Sequence, residues 1–193
     1  ARGDGIALAM RAGAALENME YVQFHPTTLC IPGERRFLIS EAVRGDGAKL
    51  VNNAGEKFAH KYHELQELAP RDIVARMIFK EMIRENAPNV FLDHTEKSRE
   101  YLEKRFPSIF QRCLEKGYDM SKDLLPVIPA QHFMCGGIAA DLVGQTSVPG
   151  LRAIGEVACT GVHGGNRLAS TSLLEGLVWG QTAAADISKK TGQ

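Results

Sequence analysis

Leu68-Ala69-Pro70-Arg71-Asp72-Ile73-Val74-Ala75-Arg76-Met77-Ile78-Phe79-Lys80-Glu81-Met82 holds the clearest periodic signal in the chain. Val74, Ile78 and Met82 fall on one face at helical spacing, with Ile73 and Met77 beside them. Proline suits the first turn, where its missing N–H is not needed, so Pro70 marks the start. The helix is predicted to end before Pro88. Arg71 lies on the side of Val74, Ala75 and Ile78. A charge on that stripe is costly unless it is paired or lines a cleft. A first-turn arginine reaching out to water is the plainer alternative.

Shorter elements flank this helix. Residues 49–52 and 56–59 enclose Asn53-Ala54-Gly55 and read as a hairpin. Val90-Phe91-Leu92 reads as a strand, and residues 98–116 as helical, with Gly117 as terminator and Pro107 kinking or dividing the segment. Upstream, Phe37-Leu38-Ile39 and residues 20–24, running into His25-Pro26, read as strands. A helix with Asp4 as N-cap runs through Met10 and closes at Gly13. After Pro126, turn residues dominate, with short strands expected at 137–140 and 151–154. A glycine-rich run, 161–165, leads through Ser170-Thr171-Ser172 into an apolar helix over about 172–187. The pattern predicts an α+β fold, with a boundary near 131–136 and the N-terminal helix packing with the C-terminal segment.

Composition narrows the function. The 193 residues are 44% hydrophobic with zero formal net charge, which gives no sign of a nucleic-acid groove or a membrane surface. No run approaches the roughly 18 apolar residues of a membrane span, and no signal peptide is visible. Cys30, Cys113, Cys135 and Cys159 are too irregularly spaced for a zinc site, so no metal is expected. Reduced thiols point to a cytoplasmic protein. Because the chain opens at Ala1 directly on an ordered element, it is expected to be an internal piece. Arg2-Gly3-Asp4 is better explained as that helix start than as an adhesion motif. No strand–GxGxxG–helix unit is present.

Glu41 and Arg44, three apart after an apolar strand, read alone as a surface ion pair worth little. His25 and His132 stand at the two edges of the central segment and become informative only with partners. Arg167 sits at a helix entrance, where an extra cation is unfavourable unless an anion joins it. Ser170-Thr171-Ser172-Leu173 offers free backbone N–H groups at that entrance, which serve either an anion or an ordinary serine cap.

Four longer strings add more. Met19 to Thr27 (MEYVQFHPT), Leu38 to Gly47 (LISEAVRGDG), Leu68 to Arg76 (LAPRDIVAR), and Ile154-Gly155-Glu156-Val157 through His163-Gly164-Gly165-Asn166-Arg167 resemble, in order and spacing, one superfamily. It comprises the succinate dehydrogenase, fumarate reductase and L-aspartate oxidase flavoproteins. Ala130 to Gly137 (AQHFMCGG) and Cys159 to Gly164 (CTGVHG) resemble the L-aspartate oxidase branch more closely. Gly165 stands where the family more often has Ala, Thr171 where it often has Asn, and Ser40 where Thr is usual. These departures bear on substrate detail more than on fold.

The resemblance implies a capping domain over residues 19–134, flanked at 1–18 and 135–193 by pieces of a Rossmann-like FAD-binding domain. It also implies a fragment that is inactive alone. The implied reaction is oxidation of L-aspartate to iminoaspartate with FAD as cofactor and dioxygen or fumarate as acceptor, feeding NAD synthesis. Arg167 and His132 would hold one substrate carboxylate and His25 and Ser40 the other, with Gln23 nearby. Arg71 would be the acid/base, served by Glu41 and Arg44. Glu156, Asn166, Ser172 and Leu173 would contact the cofactor. Two alternatives stay open: a succinate dehydrogenase or fumarate reductase flavoprotein, and a non-catalytic dicarboxylate-binding module.

Overall fold

The computed structural model describes residues 2–192. In chain order the elements begin with α1 (Asp4–Arg11), β1 (Leu16–Glu17), β2 (Val22–Leu29), β3 (Phe37–Leu38), α2 (Glu41–Gly45) and β4 (Lys49–Val51). They continue with α3 (Arg71–Glu85), β5 (Val90–Asp93), α4 (Arg99–Arg105), α5 (Pro107–Glu115) and β6 (Leu125–Met134). The last are β7 (Gly137–Ala139), β8 (Ala158–Cys159) and α6 (Thr171–Thr191). Short 3-10 turns occupy Ala59–Lys61, Gln66–Leu68 and Gly155–Val157. The fold is mixed α+β. Phe24–Ala130 forms one compact unit, and the described residues on either side of it form another.

Within Phe24–Ala130 a five-stranded sheet has the order β3-β2-β6-β5-β4. Leu50 pairs with Leu92, and Leu92 with Leu125, so inward side chains from three strands meet on one face. Val74, Met77 and Ile78 of α3 pack into the same cluster, with Leu102 and Phe110 from α4 and α5. Each such fully buried aliphatic side chain contributes about 1.5–3 kcal/mol. Helix α3 ends on Asn86 in the left-handed conformation, two residues short of Pro88. Pro107 divides the next helical segment at Phe106, because its ring cannot continue the preceding helix.

The other unit carries a three-stranded sheet, β1-β7-β8. Strands β1 and β7 are antiparallel, and β7 and β8 are parallel through Ile138 and Ala158. Ala9 of α1 packs on Ile138, Ala153 and Ala158, as expected for an N-terminal helix joined to the C-terminal segment. A Cβ on Gly136 would lie 2.0 Å from the Asn18 carbonyl oxygen, so only glycine fits there.

Three expectations need correction. Gly3, not Asp4, caps α1, in a left-handed conformation; Asp4 lies in the first turn, where its charge meets the positive helix end. Residues 151–154 form no strand and make only one bridge, Gln145 with Arg152. The ten-residue strand β6 runs through Pro126 and Pro129, where sequence reading saw turns. Proline lacks a donor but keeps its acceptor, and the Pro126 carbonyl accepts from the Cys30 amide at 2.8 Å. Among the described residues no helix is long and apolar enough to cross a membrane.

Glu81 holds the end of α3 to the hairpin loop. It is fully buried, and it accepts hydrogen bonds from Arg84, Asn52 and the Tyr62 hydroxyl. The Arg84 bonds, against the opposing effect of burial, pull its carboxyl down to about 2. A lowered carboxyl contributes stability that is present above its unfolded value and lost as pH falls through the folded one. Denaturant unfolding should therefore show about 2–3 kcal/mol lost between roughly pH 4.5 and 2. Glu81→Gln should be destabilised at neutral pH and lack that component of the acid dependence.

Candidate active site

In the Phe24–Ala130 unit the site residues come from β2, from the start of α2 and from the start of α3. His25 is buried on β2, and its Nε2 lies 2.8 Å from the Ile39 carbonyl. A carbonyl only accepts, so Nε2 carries the proton. Thr27 donates to the same carbonyl at 3.0 Å, and the Ile39 amide returns to Thr27. This fixes the turn into Ser40, which caps α2 by accepting from the Ala42 amide.

The cap places Glu41 and Arg44 on one face of α2. Arg71 occupies the first position of α3. Arg71 Nη2 donates to Glu41 Oε2 at 2.8 Å, and Arg44 Nη2 lies 3.8 Å from the same oxygen. One carboxylate oxygen thus faces two guanidinium groups. Arg44 is 2% exposed and Arg71 8%, whereas the Glu41 side chain is 46% exposed. The plain surface pair expected of Glu41 and Arg44 is therefore not what forms. Arg44 Nη1 donates to the Glu67 carbonyl at 2.6 Å, while its Nε is buried with no hydrogen-bond partner among the described residues. Burial, and then the neighbouring Arg71, push the Arg44 guanidinium below its usual range; Glu41 and Glu67 oppose that shift.

In the other unit Gln23 organises the loop before α6. Its Nε2 donates to Asn166 Oδ1 at 2.8 Å and to the Arg167 carbonyl at 2.7 Å. The Arg167 guanidinium lies 4.4 Å from the centre of the Phe133 ring. Its Nη1 reaches the Leu168 carbonyl and Ser172 Oγ, each at 3.3 Å. His132, next to Phe133, is exposed. One residue missed in the sequence holds this loop. Glu175, buried on α6, accepts from Thr160 Oγ1 and pairs with His163 Nε2, both at 2.7 Å. The signal was present: one carboxylate on a helix whose neighbours are Leu173, Leu174, Leu177 and Val178.

The residues expected at the cofactor fit a flavin. Ser170, before α6, takes a left-handed conformation and makes no side-chain cap bond. The Thr171 and Leu173 amides turn back to the Leu168 and Ser170 carbonyls at 3.4 and 3.3 Å, so the Ser172 amide is the first-turn donor best placed for an outside acceptor. Ser172 and Leu173 lie in that first turn. Glu156 is exposed in its 3-10 turn and commits only Oε1, to the Met134 amide at 3.2 Å. Its second oxygen can accept from a ribose or ribityl hydroxyl. Asn166 is already engaged with Gln23, which suits it to shaping the loop.

The chain is 52% identical over its whole length to an L-aspartate oxidase of Acinetobacter baylyi, covering 36% of that protein. It is 49% identical to the chloroplastic L-aspartate oxidase of Arabidopsis thaliana, with 99% of the chain matched to 31% of the relative. Among solved structures, an E. coli quinol fumarate reductase superposes with a TM-score of 0.88 at 34% identity, over 99% of this chain and 35% of that one. The chain spans about a third of the length of the curated relatives it matches. Residues 1–173 match the FAD binding domain family. The chain belongs to that family of FAD-binding proteins.

Proposed function

We propose that this chain is the substrate-facing part of a flavoenzyme that oxidises L-aspartate to iminoaspartate for NAD synthesis. Residues 19–134 form its cap, and residues 1–18 and 135–193 belong to its FAD-binding domain. The observation that carries the proposal is the placement of two buried guanidinium groups, Arg44 and Arg71, against one oxygen of Glu41. The 52% identity to L-aspartate oxidases over the entire chain supports the choice of substrate. Free thiols at all four cysteines fit a reducing cytoplasm.

When bound, FAD would supply the hydride acceptor for the substrate, with dioxygen or fumarate as the oxidant that restores it. The chain's own residues do the rest. A dicarboxylate needs two anion clamps; Arg167 with His132 would hold one carboxylate, and His25 with Ser40 the other. Arginine gives a carboxylate two parallel hydrogen bonds and a fixed orientation. Gln23 holds the Arg167 main chain in place. The α6 start at Ser172 and Leu173 would hold the flavin ring system and favour negative charge on it, and Glu156 would accept from a cofactor hydroxyl.

Arg71 is the acid/base group. A guanidinium is ordinarily a poor base. Arg44 is a second guanidinium beside it, and Glu41 bridges the pair. The 46% exposure of the Glu41 side chain gives the proton a way to solvent.

A second reading, a succinate dehydrogenase or fumarate reductase flavoprotein subunit, is favoured by the superposition on quinol fumarate reductase. Assaying the complete polypeptide for aspartate-dependent hydrogen peroxide and for succinate oxidation separates the two. We expect the first activity; succinate oxidation without aspartate oxidation would establish the second.

Arg167→Leu in the complete polypeptide should weaken succinate binding by about 2–5 kcal/mol, read from flavin difference spectra. Unchanged affinity would remove Arg167 from the clamp. Arg71→Lys and Arg71→Gln should both keep FAD but slow single-turnover reoxidation of the reduced flavin by fumarate at least about a hundredfold, the scale of a lost general acid. Glu41→Gln should slow the same step with ligand affinity nearly intact. Reoxidation of Arg71→Gln at the parent rate would reduce Arg71 to a structural cation.

A further inference from the structure

Glu67 was not singled out in the sequence, yet it touches the proton-transfer residues from behind. It lies in the 3-10 turn Gln66–Leu68, four residues before Arg71, and is 3% exposed. Its main-chain carbonyl accepts from Arg44 Nη1 at 2.6 Å. Its carboxylate accepts from the Leu50 amide at 3.0 Å and meets Lys49 Nζ at 3.4 Å. The preceding residue, Gln66, has φ +49, a left-handed conformation that a non-glycine residue adopts only when its surroundings hold it there. The turn is therefore pinned at an energetic cost, and it presents one carbonyl to Arg44 and one buried carboxylate to Leu50 and Lys49.

The two contacts have different consequences. The carbonyl fixes the position of Arg44 without altering its charge. The carboxylate cannot be neutralised by solvent, so its field reaches the guanidinium through low-dielectric surroundings. The charged groups facing Arg44 are Glu41 on its own helix, Arg71 on α3 and Glu67 on the turn, with Lys49 on β4 beyond Glu67. Two cations close together repel. Glu41 alone, nearly half exposed, is a screened counter-charge for both.

We propose that Glu67 is a positioning residue for proton transfer, holding Arg44 through its carbonyl and keeping that guanidinium charged through its buried carboxylate. The inference rests on Arg71 being the proton donor. A purely structural Glu67, tying the edge of β4 to the turn, would leave the pH dependence of the reaction unmoved.

The test is single-turnover reoxidation of reduced flavin by fumarate in the complete, flavin-loaded polypeptide across about pH 6 to 10. Glu67→Gln keeps an acceptor for the Leu50 amide but removes the anion that favours charged Arg44. Its alkaline limb should move to lower pH by at least about half a unit. Glu67→Asp should restore the parent limb. Lys49→Gln removes a cation from the same group, so its limb should move upward. Hydrogen exchange across residues 49–52 gives an activity-independent check. If it stays slow in Glu67→Gln, the strand edge is intact and the shift reports charge. If it quickens, Lys49→Gln decides alone, an upward shift supporting the proposal and an unmoved limb overturning it. Unmoved limbs in both Glu67→Gln and Lys49→Gln overturn it outright. Arg71→Gln, run alongside, separates the two levels: a slow Arg71→Gln with unmoved limbs removes only the role of Glu67, whereas a parental rate in Arg71→Gln removes the proton-donor reading and this inference together.

Discussion

Two guanidinium groups almost wholly out of water, sharing one carboxylate oxygen, set the terms for the Phe24–Ala130 unit. Burying a cation is expensive unless hydrogen bonds and counter-charges return most of the cost. Here α2 and α3 must start where Glu41 and Arg71 can meet. The Ser40 cap fixes one start, and the turn Gln66–Leu68 followed by Pro70 fixes the other. The apolar stripe of α3, with Val74 and Ile78 fully buried, holds the second helix rigid under that contact. Core packing and site geometry are thus one problem: a shift of α3 would separate Arg71 from Glu41 as well as open the cluster around Leu50 and Leu92.

Much of the framework was legible in the sequence where a local rule governs it. The 3.6-residue period of Val74, Ile78 and Met82 gave α3, and Pro107 gave the break between α4 and α5. Failures came where tertiary pairing overrules local preference. Pro126 and Pro129 look like turn residues, but strand β6 needs only their carbonyls at those positions. Leu151 to Ile154 looks like a strand by apolar content, yet it pairs through a single bridge. Gly3 displaced Asp4 as cap because the chain enters α1 with positive φ.

The candidate site was legible only in part, for a similar reason. Glu41 and Arg44 carry the spacing of an ordinary surface pair. Nothing in that spacing states that Val43 and Arg44 are buried while Glu41 stays half exposed. Arg71 was flagged because a charge sat on an apolar stripe. Glu67 and Glu175 were not, since a carboxylate in a turn or on a long helix is unremarkable until its partners are known. Both turn out to bind backbone amides or side chains far along the chain: Glu67 reaches Leu50, and Glu175 reaches Thr160 and His163.

The polar contacts share one chemical choice. Arg44 donates to the Glu67 carbonyl, Arg167 to the Leu168 carbonyl, and His25 to the Ile39 carbonyl. A backbone carbonyl satisfies a donor and fixes its direction, but it cancels no net charge. A carboxylate in the same place would hold the side chain equally well and spend its charge inside the protein. At Arg44 the carbonyl fixes direction alone and leaves the charge to be set by Glu41, Arg71 and Glu67. Direction and charge are thus set separately, which suits the proton transfer proposed for this unit. Glu41 offers one oxygen to two arginines, so the three groups together keep a net positive charge.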